Sequence, residues 1–307
     1  MQFIKPGTTI DFVSRRFLFL SLSAAVIAIG LISLIFHGGL NYGIDFVGGT
    51  LVQVKFGQAT TPDAIRDALQ GLDLGNSTIQ QFEEAEGGEF LIRVEKSKAD
   101  LVDLSDEIKG ALDIRYGPGQ VDIRRVEMVG PKVGEDLRRK GIFAIIYAII
   151  GILVYVTFRF EFKFAVGAVV ALVHDVLITV GLFSLLNMEF SLPIVAALLA
   201  IVGYSLNDTI VVYDRIRENL RKAGRKTYED VINASINETL SRTILTSLTT
   251  LLVLISLYFL GGGVIHDFAF ALIVGVVVGT YSSIFIASPV VIAMRKMKFL
   301  QRQNQKV

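Results

Sequence analysis

Six apolar runs, each close to the length of a membrane-spanning helix, dominate this sequence of 307 residues. About twenty apolar residues are needed for a helix to cross the roughly 30 Å of hydrocarbon in a bilayer. The runs cover residues 17–36, 142–158, 164–186, 192–212, 243–260 and 268–294. A hydrophobic content of 52% and a mean hydropathy of +0.57 also exclude an ordinary soluble protein. The sequence therefore predicts a polytopic α-helical membrane protein with six spans.

Basic residues predict how these spans are oriented. Lysine and arginine cluster at residues 5–16, 159–163, 215–226 and 295–298, whereas the short connections 187–191 and 261–267 contain neither. Cytoplasmic loops carry an excess of lysine and arginine. We therefore expect a cytoplasmic N-terminus (1–16), a cytoplasmic loop (213–242) and a cytoplasmic C-terminal tail (295–307). The first run follows two arginines as in a signal peptide, but its length and the absence of a small-x-small cleavage site favour an uncleaved anchor.

Residues 37–140, between the first span and the five-helix region 141–294, are expected to form a domain on the opposite side, in the periplasm. Alternation of apolar and polar residues predicts a strand at 50–56, two further strands are predicted at 78–83 and 90–95 on either side of Gly87-Gly88, and a last strand at 121–129 completes the set. Thr61 and Pro62 begin one helix, Ser97 and Asp100 resemble a capping box before a second, and Gly87-Gly88 predicts a hairpin turn. The order βαββαβ is that of an α+β ferredoxin-like domain.

Two aspartates lie within the predicted spans. Asp208 lies about one turn inside the cytoplasmic end of the fourth span, and Asp175 lies near the middle of the third. An ionised side chain near the bilayer centre costs roughly 3 kcal/mol or more, so such residues are functional candidates. Tyr204 and Asn207 extend a polar patch that can hold water beside Asp208, and a wet carboxylate can exchange protons. The alternative is that each aspartate only hydrogen-bonds to neighbouring helices.

Basic and hydroxyl side chains accompany both aspartates. Arg242 begins the fifth span at a depth similar to that of Asp208, and Thr246 follows on the same helical face. Arg242 and Asp208 can pair if their helices touch, but a lone arginine at the end of a span can also extend towards water. His174 either shuttles protons for Asp175 near neutral pH or hydrogen-bonds between helices.

Small residues recur at helical spacing in two spans. They include Gly275 and Gly279 in the last span and Ala196, Ala200 and Gly203 in the fourth. Such smooth faces allow helices to approach closely. They predict tight helix packing, either inside this chain or against a partner.

Composition excludes several kinds of site. The chain has no cysteine, so it has no disulfide and no thiolate site, and its three histidines are too few and too scattered for a metal site. The net charge of +1 and the clustering of basic residues beside apolar runs do not indicate a nucleic-acid partner.

Four strings, read together, resemble the SecF proteins of the SecD/SecF protein-export family, within the RND superfamily of proton-driven exporters. They are NYGIDFVGGT at 41–50, VEMVGPKVG at 126–134, GYSLNDTIVVYDRIREN at 203–219 and the segment 237–247 with its Ser-Arg-Thr core. The resemblance covers nearly the whole chain. It implies that Asp208 and Arg242 match the carboxylate and arginine linked to proton passage. Asp45, Gly48 and Gly49 lie in the periplasmic family motif, where Asp45 has a hinge or docking role or is plain loop structure.

The same resemblance implies partners and a location. The expected partners are SecD with its matching six-span plan, the SecYEG translocon, YajC and YidC, unfolded precursor proteins and membrane lipids. The expected location is the bacterial inner membrane, where the subunit uses the proton motive force in late steps of protein export. Protons are then the coupling ion, no cofactor is needed and the chain is not an enzyme. The alternative function is a proton-driven half-transporter of small molecules or lipids, of the RND type.

Overall fold

The structure, a computed structural model, describes residues 9–304 except 73, 75–76, 84–87, 95–100 and 262. It divides into two compact units. The helical unit contains the chain up to Asn41, Phe143–Met188 and the chain from Pro193 onward. The sheet unit contains Tyr42–Ile142 together with the short connection Glu189–Leu192.

The elements follow one another in a simple order. Numbered along the chain, they are α1 (Arg16–Phe36), α2 (Ile44–Val47), β1 (Gly49–Phe56), α3 (Pro62–Leu69), β2 (Thr78–Glu83), β3 (Glu89–Val94), α4 (Leu101–Tyr116), β4 (Val121–Val129), α5 (Pro131–Arg159), α6 (Phe162–Leu185), α7 (Leu192–Arg221), α8 (Tyr228–Leu260), α9 (Gly263–Ser282), a π-helix (Ser283–Ala287) and α10 (Ser288–Asn304). Six helical segments in the described residues are long and apolar enough to span a membrane. The six spans predicted from the sequence are therefore confirmed.

The spanning helices extend beyond the apolar runs. Helix α5 begins at Pro131, well before the run that starts at residue 142, and α7 and α8 fill most of the predicted loop 213–242. A capping box fixes the start of α8: the Thr227 side chain accepts a hydrogen bond from the Asp230 N–H at 3.1 Å, and the Asp230 carboxylate accepts one from the Thr227 N–H at 3.2 Å. Hydropathy detects only the part of a helix that crosses hydrocarbon, so these polar turns are missed.

The sheet unit has the ferredoxin-like topology predicted from the sequence. Its four strands are antiparallel in the order β2-β3-β1-β4. The Thr61 side chain accepts a hydrogen bond from the Ala64 N–H at 3.3 Å and caps α3, as expected. Gly88 has φ of +79°, in keeping with a turn, whereas Gly87, Glu95 and the proposed capping box Ser97/Asp100 lie outside the described residues.

The core of the sheet unit follows the alternation in its strands. Odd and even positions of a strand point to opposite faces, so one apolar face packs against α3 and α4. The pairing of β1 with β3 brings Val54 opposite Phe90 and Val52 opposite Ile92, all of them buried. The two helices contribute their own buried stripe: Ile65, Leu69, Leu104, Ile108 and Leu112.

Glycines allow close approach between spans of the helical unit. A Cβ atom placed on Gly30 of α1 would lie 2.8 Å from the Cα of Gly181 in α6, so the two backbones cross where neither has a side chain. A Cβ on Gly275 of α9 would collide with Ile201 of α7, and one on Gly279 would lie 2.9 Å from the Ser205 Cβ. The glycine face predicted for the last span therefore packs against α7 within this chain.

Residues 10–13 form a short segment, here called the N-terminal strap, that is held to α8 through its backbone. The Asn237 side chain accepts a hydrogen bond from the Ile10 N–H at 2.8 Å, and the Asn233 side chain accepts one from the Phe12 N–H at 2.9 Å. Both asparagines also donate to the Ile10 carbonyl oxygen, at 3.0 and 2.8 Å. Two amide side chains one helical turn apart thus bind the strap as a neighbouring strand would.

Candidate functional site

Asp208 lies on the inner face of α7 with an unpaired oxygen. Its side chain is 3% exposed, and its Oδ2 atom has no hydrogen-bond partner among the described residues. Buried carboxylate oxygens are normally hydrogen-bonded, and one that is not requires an explanation. The sequence prediction that Asp208 is an unusual buried acid is consistent with this geometry.

Helix α8 supplies the polar side chains that act on Asp208. Arg242 and Ser247 are the groups whose charge and dipole act on its carboxyl group, although no salt bridge between Arg242 and Asp208 forms within the described chain. Arg242 itself is exposed. Ser247 also pairs with Thr280 of α9 at 2.6 Å, and the Thr243 hydroxyl is buried without a partner. Asp208 and Arg242 are thus electrostatic neighbours rather than a closed ion pair.

The three residues predicted to support this site have different surroundings. The Tyr204 hydroxyl donates to Thr250 Oγ1 of α8 at 3.3 Å, so it links the two helices close to Asp208. Thr246 donates to the carbonyl oxygens of Arg242 and Thr243 in its own helix, at 3.0 and 2.9 Å, so its hydroxyl proton is used locally. Asn207 is exposed and does not line the buried carboxylate.

One face of α7 is open in this chain. Gly203 is exposed, and a Cβ atom built there would meet nothing within 4 Å. Ala196, Ala200 and Asn207 are exposed on the same helix. The close packing expected at Gly203 is therefore not made within this chain, because α7 turns Ser205 and Asp208 inward and leaves its small residues outside. We refer to Ala196, Ala200, Gly203 and Asn207 as the open face of α7.

Asp175 is the second buried acid, and its carboxylate is fully paired. The side chain is 0% exposed. Its Oδ2 accepts hydrogen bonds from Ser205 Oγ of α7 at 2.6 Å and Ser282 Oγ of α9 at 2.9 Å, and its Oδ1 lies 2.9 Å from His174 Nδ1. Asp175 therefore joins three spanning helices, α6, α7 and α9.

His174 completes the Asp175 cluster without extending it. The imidazole is 5% exposed, stacks on Tyr281 with ring centroids 6.0 Å apart, and has no hydrogen-bond partner for Nε2 in the described chain. No hydrogen bond in that part of the chain links His174 or Asp175 to Asp208. The structure thus places the two aspartates in separate polar clusters, connected only through the Ser205–Asp208 turn of α7.

Two consecutive glycines after α2 need their conformational freedom. Gly48 and Gly49 have φ of +82° and +123°, values that side-chain-bearing residues rarely adopt. A Cβ on Gly48 would lie 2.7 Å from Pro131 Cα, and one on Gly134 would lie 3.0 Å from the Phe46 carbonyl oxygen. The glycines allow the start of β1 and the start of α5 to pack backbone to backbone. Asp45, three residues earlier, accepts a hydrogen bond from the Leu192 N–H at 2.8 Å.

Comparison with known families decides the identity of this fold and site. The family model described as protein export membrane protein SecD/SecF, C-terminal, matches residues 112–297, and the SecD/SecF GG motif model matches residues 33–60. The chain belongs to the SecD/SecF family. The GG motif match includes Asp45, Gly48 and Gly49.

Relatives of this SecD/SecF protein are similar over their full length. A protein translocase subunit SecF from Magnetococcus marinus is 53% identical over 297 residues, which cover 96% of this chain and 94% of the relative. Another from Desulfurispirillum indicum is 48% identical over 310 residues, covering 97% and 98%. The crystal structure of SecDF from Thermus thermophilus, a translocon-associated membrane protein, is 38% identical with a TM-score of 0.84 over 94% of this chain. This chain spans 39% of that solved SecDF chain.

Sequence reasoning missed several residues of this SecD/SecF site. Ser205 and Ser282 donate to Asp175, and Ser247 acts on Asp208 from α8. Ser205 lies one helical turn before Asp208, which was an available signal. Ser282 lies three residues after Gly279 and seven after Gly275 in regular α-helix, so helical spacing was an available signal for it too.

Proposed function

We propose that this chain acts as the SecF-type subunit of a protein translocase and that, together with a SecD-type partner, it uses the proton motive force in late steps of Sec-dependent protein export. Protons are the coupling ion, and the chain performs no covalent chemistry on the precursor. The observation that carries the proposal is the buried Asp208 carboxyl group, whose Oδ2 is unpaired beside Arg242 and Ser247. A carboxyl group held this way can bind and release a proton, because neither charge state is fixed by a closed ion pair.

The energy of a proton crossing the membrane is comparable to that of a conformational change. Moving one elementary charge through 100 mV releases about 2.3 kcal/mol. That energy can reverse a conformational preference of similar size, provided that protonation of Asp208 and the position of the sheet unit are linked. The carboxyl group then acts as the element that senses the gradient, and the sheet unit acts on the emerging precursor.

The open face of α7 supports the need for a partner. Small and polar residues are exposed there on a helix that also carries Asp208 on its inner side. Within a bilayer, small residues favour close contact with another helix because their backbones can approach. A SecD-type subunit packed on this face would cover these exposed small residues of the helix that carries Asp208. SecYEG, YajC and YidC are the further partners proposed from the family resemblance.

The proposed location is the bacterial inner membrane, with both termini in the cytoplasm and the sheet unit in the periplasm. The basic clusters at residues 5–16, 159–163, 215–226 and 295–298 support this orientation. The even number of candidate spans supports the proposal that both termini lie on one side.

Replacement of Asp208 by asparagine tests the proposal, because it keeps the size of the side chain and removes its titration. Export of a reporter precursor into inverted membrane vesicles is measured with and without an imposed proton gradient. We expect Asp208→Asn to abolish the gradient-dependent part of export while the subunit still co-purifies with SecD. Full gradient-dependent export by this variant would reject the proposal.

A matched control lies on the same helix. Asp214 is half-exposed and pairs with Arg159 at 3.4 Å at the surface, so Asp214→Asn makes the same chemical change outside the buried cluster. It should leave export unchanged. Arg242→Met should behave like Asp208→Asn, and full activity would show that Arg242 only extends towards water. Transport of dyes by the purified chain without SecD would favour the half-transporter function instead.

A further inference from the structure

The short connection between α6 and α7 belongs to the sheet unit. Its four residues, Glu189–Leu192, group with Tyr42–Ile142 and not with the helices on either side of them in sequence. The Glu189 carboxylate forms an ion pair with the Arg93 guanidinium of β3, and both side chains are largely buried, at 17% and 13% exposed. Arg93 also donates to the Tyr42 carbonyl oxygen at 3.1 Å. A largely buried, charge-assisted contact therefore holds this connection.

Apolar packing and a backbone bond strengthen the same contact. The Phe190 ring packs against Tyr42 and Phe46, with centroids 6.2 and 6.0 Å apart. The Gly43 N–H donates to the Phe190 carbonyl oxygen at 2.9 Å. A Cβ atom on Gly43 would meet the Glu189 carboxylate, so the absence of a side chain at Gly43 leaves room for Glu189 in this position.

Asp45 caps the helix that carries Asp208. The Leu192 N–H, the first of α7, donates to Asp45 Oδ2 at 2.8 Å, although the two residues are 147 positions apart in sequence. The first N–H groups of a helix have no partner within it, and a carboxylate there also complements the helix dipole. Here the cap comes from the GG-motif segment rather than from the residues that precede the helix.

We propose that Asp45 is a positioning residue that fixes the start of α7 to the sheet unit. Helix α7 begins at Leu192 in the sheet unit and continues from Pro193 in the helical unit, where Asp208 follows about 24 Å along the helix axis. A helix is stiff along its axis because each turn is hydrogen-bonded to the next. The cap and the Arg93–Glu189 pair therefore hold the first residue of the helix that carries Asp208 to the GG-motif segment and to β3. This inference rests on the proposed proton role of Asp208.

Two measurements on the membrane-embedded complex test the cap. Hydrogen exchange is followed for peptides covering residues 189–196, and gradient-dependent export is followed in parallel. Asp45→Ala should accelerate exchange about fivefold, the ratio expected from losing one helix cap, and should lower export towards the level of Asp208→Asn. Asp45→Asn keeps an acceptor oxygen and should restore a large part of both. Asp106→Ala removes an exposed aspartate of the same unit and should change neither.

Swapping the two charged residues of the Arg93–Glu189 pair provides a second test that does not depend on Asp45. Arg93→Glu and Glu189→Arg should each lower gradient-dependent export and accelerate exchange at residues 189–196. The double variant should recover both, because the opposite charges are restored in reversed positions. This recovery also separates a specific contact from general misfolding.

The outcomes distinguish this inference from the proposed function. Unchanged exchange in Asp45→Ala would show that the cap does not hold α7, and accelerated exchange with full export would show that the cap is structural only. Either result overturns the inference while leaving Asp208 as the proton site. If Asp208→Asn kept full export, the proposed function would fail, and with it the inferred coupling, whatever the exchange data showed about the cap.

Discussion

The two buried aspartates of this chain differ in how completely the chain itself satisfies them. Asp175 receives hydrogen bonds from Ser205 and Ser282 and lies beside His174, and these contacts join three helices. Asp208 is almost as deeply buried, yet its Oδ2 has no partner among the described residues. One buried acid, Asp175, therefore links helices of the helical unit, whereas Asp208 has a carboxylate oxygen that no described residue binds.

This difference indicates which of the two acids contributes to stability and which is available for a function. A satisfied buried polar cluster rigidifies its surroundings and fixes a single arrangement of the helices. An unpaired buried oxygen lowers stability, and the packing of the described residues does not explain why it is retained. We therefore regard Asp175 and His174 as the joint between α6, α7 and α9, and Asp208 as the proposed proton site; the membership of Asp175 and His174 in a proton path stays a prediction.

The largest effect should come from replacing the two acids by leucine in turn. Asp175→Leu leaves the buried Ser205 hydroxyl without its acceptor and the Ser282 hydroxyl with only the Gly279 carbonyl oxygen at 3.2 Å, so we expect it to lower the unfolding free energy by about 3 kcal/mol, since each buried polar group left unpaired costs about 1–3 kcal/mol. Asp208→Leu removes a carboxyl group that has an unpaired oxygen and should change stability little. Chemical unfolding of the purified chain in detergent measures both. Equal losses would show that the two sites do not differ.

A smaller effect should separate the packed glycine face of α9 from the open face of α7. Gly275→Leu places a side chain where Ile201 already lies, and overpacking of this kind costs about 1–3 kcal/mol. Gly203→Leu meets open space in this chain and should leave its stability unchanged. The same unfolding assay measures the free energies, and co-purification tests whether Gly203→Leu alone loses the SecD partner. Retention of the partner would exclude the open face as its binding surface.

The smallest effect should come from the donors to Asp175. Ser205→Ala and Ser282→Ala each remove one of two hydrogen bonds to the same oxygen, and each should lower the unfolding free energy by about 1 kcal/mol. Their effects should not be additive, because the second loss leaves Oδ2 with no donor. A double-mutant cycle in detergent measures this coupling, with Ser256→Ala as a control on an exposed serine of α8. Additive losses would contradict a shared acceptor.

Local features of the sequence predicted much of the fold. Apolar length predicted the six spans, alternation at residues 50–56 predicted the first strand, and Thr61 with Pro62 predicted the start of α3. Each of these signals acts over a few residues, so no tertiary information is needed to recognise it. The depth of Asp208 within its span was likewise sufficient to mark it as unusual.

The remaining features depend on which side of each helix faces which neighbour. The small residues of a largely apolar span do not indicate which side faces a neighbour, so the outward position of Gly203 could not be predicted. The hydrogen bond between Asp45 and Leu192 joins residues 147 positions apart, and the π-helix at Ser283–Ala287 depends on packing that no local pattern encodes. These are the features that assemble both acidic clusters and the cap of α7.

The N-terminal strap has a consequence for how this protein tolerates variation. Asn233 and Asn237 form hydrogen bonds with peptide groups rather than with side chains, so these hydrogen bonds depend little on which side chains residues 10–13 carry. Proline is excluded at positions 10, 12 and 13, since it lacks the N–H that donates to these asparagines. Phe12 and Val13 also pack in the apolar core of the helical unit, so packing limits their side chains, whereas the backbone position of the strap is set by two amides more than two hundred positions further along the chain.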